Sequence, residues 1–129
     1  MFNIFKNDKW ENSLSEIKNR FGLSLNDLPE PSTIEKIFNI YIKDYGLSKN
    51  AATALLLRLF VLNILGAAVI MKEGGEKIDP QNYLSVIKLL NASIDFSEKA
   101  EDHKNLEAVT SKLNMTIENF LEKIGIKRG

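Results

Sequence analysis

The sequence predicts an all-α protein, a compact bundle of five or six helices around a central, almost entirely apolar helix. Apolar residues recur at spacings of three and four along most of the chain, and no stretch shows the strict alternation of a half-buried strand. Three strings, "FGLS" (Phe21 to Ser24), "YGLS" (Tyr45 to Ser48) and "LNMT" (Leu113 to Thr116), read as helix boundaries. In each, Gly or Asn takes the left-handed conformation that closes a helix, an apolar residue folds back on the closure, and a hydroxyl caps the next helix. The stretch "AATALLLRLFVLNILGAAVIM", Ala51 to Met71, carries one charge, Arg58, in 21 residues and supplies the axis of the bundle.

The elements run in chain order. Ser13 with Glu16 forms a capping box, after which Leu14, Ile17 and Phe21 share a face. "LSLNDLPEP" is a connector, and Ser32 with Glu35 opens a second helix striped by Ile34, Ile37, Phe38, Tyr41, Ile42 and Tyr45 before Gly46 ends it. Ser48 starts the apolar third helix. "EGGEKIDP" is a loop in which Asp79 caps and Pro80 takes the first helical position of the fourth. That helix is expected to bury Tyr83, Leu84, Ile87, Leu90 and Ile94. A last stripe of Leu106, Val109, Leu113, Ile117, Phe120 and Ile124 is expected to bend or break near Asn114 and to stop at Gly125.

The chain of 129 residues is long enough to bury a core without metals or cross-links and reads as one helical domain, 1–129. Seventeen basic and seventeen acidic residues cancel, so no overall field draws it to nucleic acid or to an anionic surface. Absence of cysteine excludes disulfides, thiolate metal sites and cysteine nucleophiles. The broken apolar pattern of "MFNIFKNDKW" does not suit a secretory signal, and the expected address is cytoplasmic. Abundant Lys, Asn and Ile fit an AT-rich bacterial, archaeal or viral genome.

Whether Ala51 to Met71 crosses a membrane or fills a core decides much else. Its eleven Leu, Ile, Val and Phe residues contribute roughly −3 to −7 kcal/mol to insertion against roughly +2.5 to +3.5 for a central Arg. The flanks show no basic asymmetry to orient a span, a turn of about two residues joins it to an amphipathic helix, and its neighbours need an apolar partner. A buried central helix is therefore expected. Arg58 and Asn63 then need partners, because an unpaired buried charge is very costly. If helices three and four form a hairpin about Glu76, residues whose numbers sum to about 152 lie level, which sets Arg58 beside Asp95 and Asn63 beside Asn91. Folding helix two back about Leu47 brings Glu35 level with Arg58 too. Arg58 and Asn63 point about 140° apart around the helix, so they are not expected to build one pocket.

No catalytic, metal or cofactor site is expected. Glu98, Glu101, Asp102, His103 and Glu107 form the best titratable cluster, but Ala100 stands where a Glu-x-x-His ligand pair needs its Glu, and a solvated face of ion pairs explains the run. "EGGEK" lacks the ending of a phosphate loop. For nucleic acid, "YGLSKNAATALL" and "LNMTIENFLEKI" have turns like those of helix-turn-helix units. Glu118 and Glu122 would repel phosphates from the second; in the first, Lys49, Asn50 and Thr53 suit a helix start that leads into a helix too apolar for a groove, with Lys127 and Arg128 as further candidate contacts. Phe2, Ile4, Phe5 and Trp10 either cover an open end of the bundle or dock on a partner, where aromatic anchors are favoured.

The sequence thus points to a non-catalytic protein-interaction or assembly module, without cofactor, acting through a protein partner or through self-association. Small residues Gly66, Ala67 and Ala68 permit close approach of a second helix. The alternative is a small DNA-binding or packaging factor, similar in architecture to the helical small subunits of phage terminases; a single-span membrane protein is the third reading.

Overall fold

The computed structural model describes residues 10–22 and 31–125, with the backbone alone for 10–14 and 31–32. It is all-helical: α1 (Trp10–Phe21), α2 (Pro31–Lys43), α3 (Lys49–Glu73), α4 (Pro80–Lys99) and α5 (His103–Lys123). Helix α3 is the axis and touches each of the other four, most extensively α4 and α5. The expected connector "LSLNDLPEP" falls mostly outside the described residues, as do Phe2, Ile4, Phe5, Lys127 and Arg128; Trp10 is described by its backbone only.

Each boundary has a local cause. Helix α1 begins at Trp10, three residues before the expected cap, so Ser13 lies inside it and Glu16 serves as an ion-pair partner of Arg20 at 2.7 Å. Helix α2 takes Pro31 into its first turn, where a missing N–H costs nothing. It ends at Lys43, and the chain turns out of it at Gly46, whose φ of +68° lets the Leu47 amide donate back to the Tyr41 carbonyl at 3.1 Å while the Leu47 side chain is buried. Ser48 caps α3 as expected, its hydroxyl accepting from the Ala51 amide at 3.2 Å, and Asp79 caps α4 by accepting from Gln81 at 3.0 Å ahead of Pro80.

The core is built of Ile17 from α1, Ile34 and Phe38 from α2, Val86, Leu89, Ala92 and Phe96 from α4, and Leu106, Ile117 and Leu121 from α5, all against α3. Burying each large side chain stabilises the fold by about 1.5–3 kcal/mol relative to leaving it in water. Along α3 every residue from Ala51 to Arg58 is buried, so this stretch is enclosed on all sides. Further along, only one side of the helix is buried, that of Val61, Leu65, Ala68 and Val69.

Four expectations are corrected. The face α4 buries is Val86, Leu89, Ala92, Ser93 and Phe96, and the expected Leu84, Ile87 and Ile94 are exposed, Ile87 by 47%. Both stripes have helical spacing; the small residues Ala92, Ser93 and Ser97 let α4 lie close to α3, and Ser93 is required there by Arg58. Helix α5 runs unbroken through Asn114, whose backbone stays helical because its side chain bonds Thr110, Glu107 and Arg58 rather than closing the helix, so "LNMT" is no boundary. On the same helix Val109 faces outward and Thr110 takes its place inside. The run "SEKAEDHKNLE" is split by a turn at Ala100 to Asp102, so it is not one helical face.

Candidate functional site

Two features stand out around α3: a polar cleft at Arg58 and an open apolar face further along the helix.

Arg58 is 8% exposed and ties three helices together. Its Nε donates to Ser93 Oγ on α4 at 3.1 Å; one terminal nitrogen donates to Thr110 Oγ1 at 2.8 Å and Asn114 Oδ1 at 3.2 Å, and the other to Glu107 Oε1 at 3.1 Å, all three on α5. The two hydroxyls are in turn satisfied by helix carbonyls: Ser93 donates to Ala54 and Thr110 to Leu106. The charge partner is therefore Glu107, and neither Asp95 nor Glu35. The expected hairpin register is nearly right, since the residue level with Arg58 is Ser93, but Asp95 lies two positions on, about 200° around the helix. Asp95 instead accepts from Arg20 at 2.8 and 3.1 Å and pairs with Lys99 at 3.2 Å, and the Arg20 hydrogen bonds hold its carboxyl below the usual carboxylate range. Asn63 and Asn91 are both exposed rather than paired in the interior.

A cleft of about 220 Å³ opens beside Arg58, lined also by Leu90, Ser93, Glu107, Asn114 and Glu118. Arg58 thus does line a pocket, formed with α4 and α5 rather than with Asn63. Four of the five guanidinium N–H groups are engaged and two carboxylates stand in the wall, so the cleft is built to hold the cation rather than to attract an anion.

The second feature is a groove of about 620 Å³ along the second half of α3, lined chiefly by Leu59, Leu62, Asn63, Gly66, Ala67 and Ile70, with Ile37 of α2 at its edge. Ile70 is 72% exposed, Asn63 and Ala67 are also at the surface, and among the described residues no charged side chain lines it. Of the expected small residues, Gly66 and Ala67 belong to this face, while Ala68 is buried on the opposite one.

Other sequence candidates fall elsewhere. Thr53 is fully buried and its hydroxyl donates to the Lys49 carbonyl at 2.8 Å, which removes it from any contact with phosphate; Lys49 and Asn50 are half-buried. Glu98, Glu101 and His103 are exposed, while Asp102 and Glu107 are drawn into interhelical contacts. Asp102 accepts from the Ser48 amide at 2.9 Å and its hydroxyl at 2.6 Å. Burial opposes ionisation there, but these two bonds, together with the backbone at Asp102 and the nearby His103, outweigh it and leave the Asp102 carboxyl below its usual range. Nothing in the sequence pattern singled out this contact, nor the roles of Ser93 and Thr110. The hairpin register is the signal that could have found Ser93, a hydroxyl level with the buried charge of Arg58.

Comparison with protein families, with characterised proteins and with solved structures finds no match to this chain.

Proposed function

We propose that this chain is a non-catalytic protein-interaction module that works by burying the open face of α3. The observation that supports it best is the uncharged groove of Leu59, Leu62, Asn63, Gly66, Ala67 and Ile70 on a helix that is wholly buried from Ala51 to Arg58. Contiguous apolar surface of this kind marks interaction sites, and covering Ile70 alone recovers about 1–2 kcal/mol. Helix α3 is apolar and long enough to cross a bilayer, its most apolar 18-residue window having a mean hydropathy of 2.3, yet 56% of that window is buried among the other helices. A partner protein needs to cover only one remaining face, whereas insertion would require the bundle to open. Buried Thr53 weighs against the packaging alternative, because it removes a polar contact from the helix start.

The test is Ala67→Glu, which places a charge in the groove at an exposed helical position that Glu suits. The variant is expected to keep its helical circular dichroism and to lose association with itself or with a co-purifying protein. Equal association by both forms would exclude this face as the site. Detergent-free protein that floats with lipid vesicles, and stops doing so on Ala67→Glu, would favour the membrane instead.

A further inference from the structure

We infer that the occupant of the open face is a second copy of this chain, its α3 lying antiparallel to the first about a two-fold axis that passes level with Ile64 and Leu65. The inference rests on the reading of this face as a protein-binding surface and names what it binds.

The face runs from Leu59 to Ile70, and the pairing that covers all of it with itself is centred midway, so that residues whose numbers sum to about 129 lie level. Leu59 of one copy then sits level with Ile70 of the other, and Asn63 with Gly66. The bulkier Asn side chain meets the notch at Gly66, where a Cβ would lie 3.9 Å from the Phe120 ring. A parallel pairing would instead stack Ile70 on Ile70 and Gly66 on Gly66, crowding one layer and emptying another. Antiparallel helices also oppose their dipoles.

Asn63 argues for a copy over an unrelated apolar helix. A purely hydrophobic partner would bury its amide without a hydrogen bond, which costs about 1–3 kcal/mol. A second Asn63 offers a carbonyl to each amide N–H, and in this register the two side chains lie along the same edge of the seam, offset by about 4.5 Å along the helices. A single Asn in an apolar seam fixes register in the same way in coiled coils. The groove is uncharged, so two copies meet without repulsion. The groove offers less area than a standard interface buries, so the dimer is expected to be weak and concentration-dependent.

The chain has no cysteine, so single substitutions give unique thiols. Asn63→Cys is expected to form an intermolecular disulfide under mild oxidation, because its copy lies within bridging distance. Ile70→Cys, although highly exposed, is expected not to, its copy being about 16 Å away along the axis. Light scattering should show dimer for the unmodified chain and monomer for Ala67→Glu. Ready cross-linking of Ile70→Cys would overturn the antiparallel arrangement, and a monomer at all concentrations would overturn the second copy as occupant. Neither result touches the reading of the face as a protein-binding surface, which fails only if Ala67→Glu leaves every association unchanged.

Discussion

The carboxylate of Asp102 accepts both the amide and the hydroxyl hydrogens of Ser48, at 2.9 and 2.6 Å, so the start of the central helix is locked to the start of the last one across 54 residues of sequence. Ser48 also caps α3. Ser48→Ala should therefore cost more than an ordinary cap, about 1–2 kcal/mol in chemical denaturation, since it also removes a bond to a carboxylate. A loss of only a few tenths would mean that water replaces the contact.

The same pair sets an acid response. The Asp102 carboxyl is held below its usual range in the folded chain, so its contribution is full above the ordinary unfolded value of about 4 and is lost as pH falls through the lower folded value. Asp95, held down by Arg20, adds in the same direction. Asp102→Asn should thus be less stable than the unmodified chain at pH 7, with the gap narrowing towards pH 3. A gap independent of pH would assign the effect to packing.

Arg58 predicts an unequal pair of variants. Arg58→Ala leaves a cavity where three helices meet and should cost about 2–4 kcal/mol. Arg58→Met refills most of that space; Ser93 and Thr110 keep their carbonyl partners and the half-exposed Glu107 returns to water, so the cost should be under about 1.5 kcal/mol. Equal, large losses from both would show that the guanidinium bonds themselves carry the stability.

Helix α4 separates its two apolar stripes. Phe96→Ala should cost about 3–5 kcal/mol, whereas Ile87→Ala should stay within about 0.5 kcal/mol, because Phe96 is fully buried and Ile87 half in water. Thermal melts of the two variants measure the difference; a large loss at Ile87 would restore the face that periodicity alone suggests.

These two stripes illustrate what the sequence could and could not reveal. Fold class, the central helix and the caps at Ser48 and Asp79 were legible, because capping and the 3.6-residue period act locally. The buried face of α4 was not, since Leu84, Ile87 and Ile94 match that period as well as Val86, Leu89 and Phe96; only the position of Arg58 on another helix selects between them. Glu107 was hidden for a related reason. It looked like one member of a solvated run, and the turn at Ala100 to Asp102 that carries it across to Arg58 depends on how α5 packs back. Of the candidate site, Gly66 and Ala67 were legible as small residues, but which side of α3 the bundle leaves open is decided by α4 and α5 together.

The most direct measurement is light scattering after size exclusion over a concentration series, comparing the unmodified chain with Ala67→Glu on the open face of α3 and with Ile87→Glu on the exposed stripe of α4. The expected result is a mass that rises towards twice that of the chain with increasing concentration, persists in Ile87→Glu and falls to that of a monomer in Ala67→Glu. A rise in mass that survives Ala67→Glu and disappears in Ile87→Glu would contradict it and move the interaction to α4.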